Sequence, residues 1–323
     1  MRNEGPFIVE WVTWYRSLGF GDVVVVTNNC TDHSPDLLDA LAAAGWLHHI
    51  RHDVAEGKPI TAPKLKAARA QLSVRKADWV LVCDVDEFLV IHKGAGKLAD
   101  LLPGGVPEFL GMAINWRVFG SDGQQKWADG LVHRQFFGAL RVKRGLSQFV
   151  KTIFRKPLWF SALGEHGPRK LKLKRAGREW GAPGMNWVNS AGQPVGEWQP
   201  GGDYLRSLPP ERSTHEVAQI NHYMLRSEET FSLKRGTLSP VGRKDRYTAA
   251  YQQQANHADE IDASALRNAG EFDVLHAQAM ALPDVRRLHH LCCADHVRLI
   301  CEKAGCRVGD DPRWHQHLAL AAE

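Results

Sequence analysis

Three acidic residues interrupt an apolar segment of this 323-residue chain. The apolar pattern begins at Trp79, reaches Asp84, Asp86 and Glu87, and resumes at Phe88. A run of this kind predicts a strand that is buried on both faces. Because side chains alternate between the two faces of a strand, Asp84 and Asp86 should point the same way and Glu87 the other way.

Two ionised carboxylates side by side at the end of a buried strand repel each other and lose hydration. A divalent metal with oxygen ligands, which also carries the phosphates of a substrate, removes that cost. The spacing of Asp84 and Asp86 therefore indicates a metal and phosphate site. A solvated turn at the strand end is the alternative.

Alternating helix and strand patterns precede the acidic segment. An apolar helix face covers residues 7–18, a strand covers 22–27, a polar loop covers 28–34, a second helix leads to a short strand at 46–50, and a further helix covers 63–75. This alternation predicts a parallel sheet covered by helices. Ligands bind at the carboxyl ends of the strands in such sheets, so the polar loop and the acidic segment should share one edge.

The composition is that of an ordinary globular protein, with 44% hydrophobic and 24% charged residues. The net charge of +5 fits anionic ligands or an anionic membrane surface and is too small to indicate nucleic-acid binding. No signal-peptide pattern and no apolar run of membrane-spanning length occurs in the sequence. Six cysteines without the spacing of a secreted disulfide framework favour the cytoplasm, with peripheral association at the inner membrane face as a further option.

The C-terminal part is predicted to be helical and includes an amphipathic helix over about residues 283–304. Potential metal ligands are concentrated in and after this helix: His289, His290, Cys292, Cys293, His296, Cys301 and Cys306. No Cys-x-x-Cys pair occurs among them, and their spacing differs from that of zinc fingers. The prediction is therefore a structural helix with incidental thiols.

A segment without periodicity, residues 177–210, predicts a long loop. Its tryptophans Trp180, Trp187 and Trp198 have two interpretations. They stack on sugars from an exposed position, or they form a small core within the loop itself.

Seven motifs follow one another between residues 2 and 236. They are Arg2-Asn3-Glu4, Asn29-x-Thr31-Asp32, Asp84-Val85-Asp86-Glu87-Phe88, Trp116-x-x-Phe119-Gly120-Ser121-x-Gly123, Lys151-x-Ile153-x-Arg155, His166-x-Pro168 and His222-Tyr223. In this order they resemble family 2 glycosyltransferases, and more narrowly the subgroup with an Asp-Val-Asp-Glu-Phe core. The resemblance implies an α/β protein of the GT-A fold, in which a doubly wound mixed sheet is covered by helices.

The resemblance also implies a division of the chain. Residues 1–236 would form the GT-A-like glycosyltransferase domain, and residues 237–323 would form a helical C-terminal extension. In the family a first core strand precedes the Arg-Asn-Glu element, whereas this sequence starts at Met1. That strand is therefore predicted to be missing.

Enzymes of this family use a divalent metal, usually manganese or magnesium, to hold a nucleoside diphosphate sugar. The metal ligands that the resemblance implies are Asp84, Asp86 and His222, with His166 as the alternative histidine. The implied nucleotide-sugar-binding residues are Asn3, Glu4, Asn29, Asp32, Asp84, Lys151 and Arg155. The two basic residues could bind the diphosphate or an acidic group on the acceptor. Glu87 is expected to tie the loop in place. Lys234 is expected on a helix surface, with a phosphate-binding role as the alternative.

The implied reaction is transfer of the sugar to a glycan or envelope acceptor, with inversion and with Asp or Glu as the base. The sequence offers four candidates for this base without choosing among them: Asp122, Asp129, Glu165 and Asp203. One alternative is a catalytically impaired, glycosyltransferase-like sugar-binding protein. The other is a haloacid dehalogenase-type phosphohydrolase, which also places Asp-x-Asp after an apolar strand.

Overall fold

The computed structural model describes residues 1–55, 57–102, 104, 108–237 and 247–323. The α-helices in these residues are α1 (Ile8–Ser17), α2 (Ser34–Ala43), α3 (Thr61–Ala70), α4 (Leu72–Lys76), α5 (Leu98–Leu101), α6 (Leu173–Ala176), α7 (Glu228–Lys234), α8 (Ala249–Ala255), α9 (Ala269–Met280), α10 (Val285–Ala304) and α11 (Pro312–Ala322). The strands are β1 (Val24–Thr27), β2 (His48–Arg51), β3 (Trp79–Leu81), β4 (Glu87–Ile91), β5 (Gly111–Val118), β6 (Gly138–Ala139), β7 (Val150–Arg155), β8 (Phe160–Gly164), β9 (Gly167–Leu171), β10 (Trp187–Asn189), β11 (Ala218–His222) and β12 (Glu260–Ile261).

The main sheet is mixed, so the protein is a mixed α/β structure. Its strand order is β3-β7-β5-β11-β4, and β10 pairs with β5. Strand β5 runs parallel to β10 and β11 and antiparallel to β7, while β3 and β4 are antiparallel to their neighbours. The parallel sheet expected from local patterns is therefore wrong for the main sheet, whereas the mixed sheet that the resemblance implied is present. Parallel pairing does join β1 to β2, which form a separate two-stranded sheet.

The apolar segment from Trp79 onward forms two strands rather than one. Strand β3 is half-buried, whereas every residue of β4 is buried. The interruption falls at the acidic residues because Glu87 N donates to Asp84 O at 3.1 Å and closes a tight turn. The prediction of one strand buried on both faces is thus correct only for β4.

The sheet curls so that its two edges meet at this turn. Strands β3 and β4 are neighbours in sequence and lie at opposite edges of the sheet. A tight turn can join two edge strands only when the sheet bends toward closure. Lys151 of β7 spans the resulting interior, because its Nζ lies 2.9 Å from Oε2 of Glu87 in β4.

The helices of the C-terminal part pack onto the N-terminal part. One buried apolar cluster includes Trp14 of α1 and Leu38 of α2 together with Phe272 of α9 and Val297 of α10. The C-terminal part is helical, as predicted, and it also supplies β12, which pairs with β6. The division at residue 236 stays a prediction, and residues 238–246 of the predicted extension lie outside the described residues.

Met1 lies alongside β1. Its amino group donates to Val26 O at 2.7 Å, and Asn28 N donates to Met1 O at 3.2 Å. These two hydrogen bonds connect the start of the chain to the carboxyl end of β1.

A second apolar cluster lies under the segment 177–210. Trp187 and Trp198 are buried, and their rings stack at 4.3 Å between centroids with 13° between planes. Trp180 is half-buried and meets the Trp198 ring at 5.1 Å. These tryptophans form the core of the segment, so the alternative in which they stack on sugars from an exposed position is wrong for Trp187 and Trp198.

Candidate functional site

The turn between β3 and β4 is held by backbone and side-chain hydrogen bonds. Asp84 N donates to Glu87 Oε2 at 2.8 Å, and the indole of Trp11 in α1 donates to Asp84 O at 3.0 Å. The carboxylate of Asp84 is 67% exposed, whereas Asp86 is 8% exposed and Glu87 is fully buried. Glu87 thus ties the turn in place, which is the role expected for it from the sequence.

Lys151 is the buried cation of this cluster. Its ammonium group lies 3.1 Å from Asp84 Oδ2 and 2.9 Å from Glu87 Oε2, and it donates to Glu165 O at 2.6 Å. Burial alone would lower the pKa of Lys151, but the Asp84 and Glu87 carboxylates raise it well above the ordinary range. Lys151 therefore carries a fixed positive charge at the centre of the curled sheet.

The same ammonium group acts on the two carboxylates. Desolvation would raise the pKa of Asp84, but the Lys151 charge holds this pKa below its ordinary value. Burial raises the pKa of Glu87 to about 7, with Lys151 opposing the rise and the Asp84 charge adding to it. The exposed Asp84 is thus ionised at neutral pH, while the buried Glu87 titrates near neutrality.

Asp86 faces a histidine and a second lysine. His222 Nε2 lies 3.5 Å from Asp86 Oδ1, and Lys234 Nζ donates to Asp86 Oδ2 at 2.9 Å and to Met224 O at 2.9 Å. Burial would raise the pKa of Asp86, but Lys234 and then His222 hold it well below its ordinary range. Lys234 therefore points inward to the acidic turn, so its expected place on a helix surface is wrong, and its alternative phosphate role stays a prediction.

Strand pairing explains how His222 reaches the turn. His222 is directly opposite Glu87 in the β11–β4 ladder, and its ring packs edge-on against Trp116 at 4.3 Å between centroids. His222 Nδ1 lies 3.9 Å from Glu87 Oε1, and neither atom has a hydrogen-bond partner among the described residues. The imidazole thus stands between two carboxylates.

The donor set fits a divalent metal in chemistry. A carboxylate oxygen and an imidazole nitrogen 3.5 Å apart, with a second, exposed carboxylate two residues away, are suitable donors for manganese. In the structure, however, Asp84 turns to Lys151 and Asp86 to Lys234. The described residues contain one group of three or more potential ligands within 4.8 Å of one another, and it lies elsewhere. The assignment of Asp84, Asp86 and His222 as metal ligands stays a prediction.

His166, the alternative ligand, is buried beside Lys151. Its Nδ1 donates to Val150 O at 2.8 Å, and its ring stacks on Tyr204 at 5.3 Å between centroids. Burial, followed by the Lys151 charge, lowers the pKa of His166 to about 4. The imidazole is therefore neutral at physiological pH.

Arg226 connects the first predicted motif, Arg2-Asn3-Glu4, to the turn between β3 and β4. Arg226 is buried, and its guanidinium donates to Glu4 Oε2 at 2.9 Å and to Val85 O at 3.5 Å. Asn3 makes a different contact, in which its Oδ1 accepts a hydrogen bond from Thr31 N at 2.9 Å. Glu4 is thus joined to the acidic turn through Arg226, whereas Asn3 contacts the loop after β1.

Asn29 and Asp32, the two residues predicted in the loop after β1, both make hydrogen bonds in the structure. Asn29 Nδ2 donates to Val54 O at 3.0 Å, and Asn29 Oδ1 accepts from Val54 N at 3.0 Å. The Asp32 carboxylate accepts from Ser34 N at 3.1 Å and from Ser34 Oγ at 2.6 Å. Burial raises the pKa of Asp32. Asn29 therefore ties the loop to the segment after β2, and Asp32 holds the turn that leads into α2.

Lys64 of α3 connects this loop to the acidic turn. Its ammonium group donates to Asn28 Oδ1 at 2.9 Å. Burial lowers the pKa of Lys64, and the Asp84 carboxylate partly offsets that effect. Lys64 thus lies between the loop after β1 and the acidic turn, but β1 belongs to a separate two-stranded sheet, so the prediction that the two share one sheet edge is wrong. Lys64 has no motif that would reveal it in the sequence.

Arg155 lies away from the carboxylates. It is four residues from Lys151 on β7, which corresponds to roughly 13 Å along the strand. Its guanidinium covers the ring of Trp79 at 5.6 Å. The structure therefore does not bring Arg155 to the predicted diphosphate site.

The four candidate bases occupy different places. Asp122 accepts hydrogen bonds from Phe137 N and Gly138 N and holds a turn, and Asp203 pairs with Arg169 at 2.9 Å. Burial would raise the pKa of Asp129, but His289 lowers it to about 2, which makes Asp129 a weak base. Glu165 adjoins the cluster, because its backbone carbonyl binds Lys151, and its Oε1 accepts from Tyr204 OH at 2.8 Å.

A cavity lies away from the acidic turn. It has a volume of about 460 Å³ and is polar, with Arg117, His215, Gln219, Glu260 and Asp262 in its wall. None of the clustered carboxylates lines it. We place the candidate site at the turn because the convergent charges and the exposed carboxylate lie there.

Comparison with protein-family models, curated proteins and solved structures finds no match to this chain. Among the described residues, no helix combines the length and apolar character needed to cross a bilayer.

Proposed function

We propose that this protein is a metal-dependent glycosyltransferase that moves a sugar from a nucleoside diphosphate sugar to a glycan acceptor. The observation that carries the proposal is the constellation at the β3–β4 turn. An exposed carboxylate (Asp84) and a buried carboxylate–imidazole pair (Asp86 and His222, 3.5 Å apart) are surrounded by the cations of Lys151, Lys234 and Arg226. A divalent metal that carries a nucleoside diphosphate needs carboxylate ligands, and nearby cations stabilise the charge of the phosphates.

The proposed role of the carboxylates is to hold the metal. Asp84, Asp86 and His222 would be its protein ligands, and the metal would neutralise the charge that develops on the leaving diphosphate. Lys234, which now neutralises one oxygen of Asp86, lies within reach of a phosphate at the same place. Its ammonium group would then stabilise the diphosphate as a donor of charge-assisted hydrogen bonds.

The proposed base is Glu165. It is the one of the four candidates whose residue contacts the charged cluster, through its carbonyl and Lys151. Tyr204 orients its carboxylate with a hydrogen bond of 2.8 Å. A carboxylate held in this way can accept the proton of an acceptor hydroxyl.

A second candidate is a catalytically impaired, glycosyltransferase-like protein that binds sugar nucleotides without a metal. The observation in its favour is that Lys151 and Lys234 already neutralise the carboxylates. In that case the lysines would bind the diphosphate directly, and a metal would be unnecessary.

Calorimetric titration with UDP and with GDP, with and without manganese, distinguishes these candidates. The transferase proposal predicts binding that depends on manganese and is lost in Asp86→Asn. The matched control is Asp22→Asn, an exposed carboxylate paired with His48, in the segment that precedes β1. It should bind like the wild type.

Each outcome has a defined meaning. Metal-independent binding that is retained in Asp86→Asn would replace the first candidate with the second. Absence of UDP and GDP binding under all conditions would refute both. Release of UDP or GDP from sugar nucleotides, abolished in Glu165→Gln with binding intact, would support the proposed base.

A further inference from the structure

A group of four potential metal ligands lies away from the acidic turn. It consists of Asp129, His290, Cys293 and His317, and one donor atom from each residue lies within 4.8 Å of the others. His290 and Cys293 are three residues apart on α10 and therefore share one face of that helix. His317 comes from α11, and Asp129 comes from the segment between β5 and β6.

The donor atoms lie close to the separations that a tetrahedral ion requires, and one pair matches them. His290 Nδ1 and His317 Nδ1 are 3.3 Å apart. Two nitrogens bound to zinc at about 2.05 Å in tetrahedral geometry are separated by roughly 3.3 Å, and a nitrogen and a sulfur by roughly 3.6 Å. The separation of these two nitrogens thus equals its bound length, and the other donor pairs, all within 4.8 Å, exceed theirs by at most about 1.5 Å.

The environment is that of a closed structural site. Cys293 is fully buried, and His290 and His317 are 8% and 4% exposed. The Asp129 side chain, 31% exposed, lies on the solvent side. His289 Nε2 is 3.4 Å from Asp129 Oδ1 and 3.6 Å from Cys293 Sγ, so its imidazole contacts two of the four ligands and can orient both.

The segments that carry the ligands are held together independently of any ion. Arg313 of α11 donates to Trp127 O at 2.7 Å and to Glu229 Oε2 at 2.7 Å. This arginine fixes α11 against the segment that leads to Asp129. The ligands are therefore brought together by packing.

We propose that Asp129, His290, Cys293 and His317 bind one zinc ion, which cross-links α10, α11 and the segment between β5 and β6. Four protein ligands leave no open position, as in structural zinc sites. A thiolate and two imidazoles select zinc over the magnesium or manganese proposed at the acidic turn. On binding, the Cys293 thiol releases its proton to solvent, and the thiolate and Asp129 together balance the charge of Zn²⁺.

The sequence pattern does not reveal this site, because half of its ligands are distant from α10. The sequence does not single out the pair His290 and Cys293, because His289, Cys292 and His296 nearby are also potential ligands. Cys292 is buried, and its Sγ lies against Gly5, where an added Cβ would be 2.5 Å from it. Cys292 therefore faces away from the other ligands and offers a matched control.

The test measures the metal content of the untagged full chain, purified without added metal and without chelator. Mass spectrometry of the metals should find about one zinc per wild-type chain and per Cys292→Ala chain. Cys293→Ala and His317→Ala should each lose at least nine-tenths of the zinc. Stoichiometric zinc in both of these variants would overturn the assignment.

A second measurement on the wild type does not depend on the folding of a variant. After zinc is exchanged for cobalt(II), the tetrahedral site should give strong visible d–d bands and a thiolate-to-metal charge-transfer band. Their appearance at one cobalt per chain supports the proposal. A wild-type chain that holds neither zinc nor cobalt after dialysis against each ion would show that the four side chains form only a hydrogen-bonded cluster, and the proposal would be wrong.

Discussion

Removal of the Lys151 ammonium group should destabilise the protein strongly. In Lys151→Met, Glu87 stays fully buried and loses a counter-ion that lies 2.9 Å away. At an effective dielectric constant of about 20, that attraction is roughly 6 kcal/mol. The wild type also bears the cost of desolvating the lysine, so the net loss on removing one partner of a buried pair is about 3–5 kcal/mol. The exposed Asp84 adds little, because solvent screens it.

The loss should depend on pH in a defined direction. In the wild type burial raises the pKa of Glu87 to about 7, with Lys151 opposing the rise. Without Lys151 this pKa moves higher still, so the folded variant keeps binding a proton above pH 7 and loses stability as the pH rises further. We expect the cost of Lys151→Met to be about 1 kcal/mol larger at pH 8 than at pH 6.

Urea unfolding of the wild type and the variants at both pH values measures these quantities. Lys174→Met, which removes an exposed lysine of α6, is the control and should stay within about 0.5 kcal/mol of the wild type. The double variant Lys151→Met/Glu87→Gln should recover about 2 kcal/mol of the loss at pH 8, because it no longer buries an unpaired charge. A cost below about 1 kcal/mol at pH 8, or an equal cost at both pH values, would refute the reasoning.

Three further predictions concern packing and titration. Burial, followed by the charges of two nearby arginines, lowers the pKa of His296 to about 3, so this histidine alone should contribute a loss of roughly 2 kcal/mol in stability between pH 7 and pH 5. Urea unfolding of His296→Gln should show a pH profile that is flatter by that amount, and an unchanged slope would contradict this. Gly111→Ala would place a Cβ 2.6 Å from the Trp187 ring and should cost about 1–3 kcal/mol in thermal unfolding. The added cost should be smaller when the alanine is introduced into a Trp187→Leu chain, and an equal cost in both chains would contradict the steric explanation. Arg226→Met removes a guanidinium that lies over the Phe7 ring at 3.5 Å and pairs with Glu4 at 2.9 Å. This change should lower the free energy of unfolding by about 2–4 kcal/mol. A melting temperature equal to that of the wild type would show that this buried contact contributes nothing to stability.

Elements with a strong local pattern were predictable from the sequence. The apolar residues of β4 are continuous, and the periodicity of α10 ends at Gly305, which adopts the left-handed conformation of a helix C-cap. The parallel pair β1–β2 and the position of Asp84 in a strand-end segment follow from the same local signals. These features depend on residues that are close together in the chain.

Features that depend on distant partners were not predictable in this way. The antiparallel strand β7 lies between β3 and β5, although it follows both of them in sequence, and no local pattern specifies that insertion. Lys234 and Lys64 reach the site from helices whose own sequences indicate only surface positions. For the same reason Arg155, which shares a motif with Lys151, lies away from the cluster that Lys151 joins.

The hydrogen bonds of Arg313 have a consequence for the order of folding during synthesis. Its guanidinium binds Trp127 O across a sequence separation of 186 residues, and Arg117 binds Asp262 across 145 residues. A ribosome adding about 5–20 residues per second exposes the N-terminal partners for roughly 10–40 seconds before Arg313 emerges. The sheet is complete only once β11 (Ala218–His222) has emerged, about 90 residues before Arg313, so it must persist for roughly 5–20 seconds without α11, which makes the nascent chain a candidate client for chaperones.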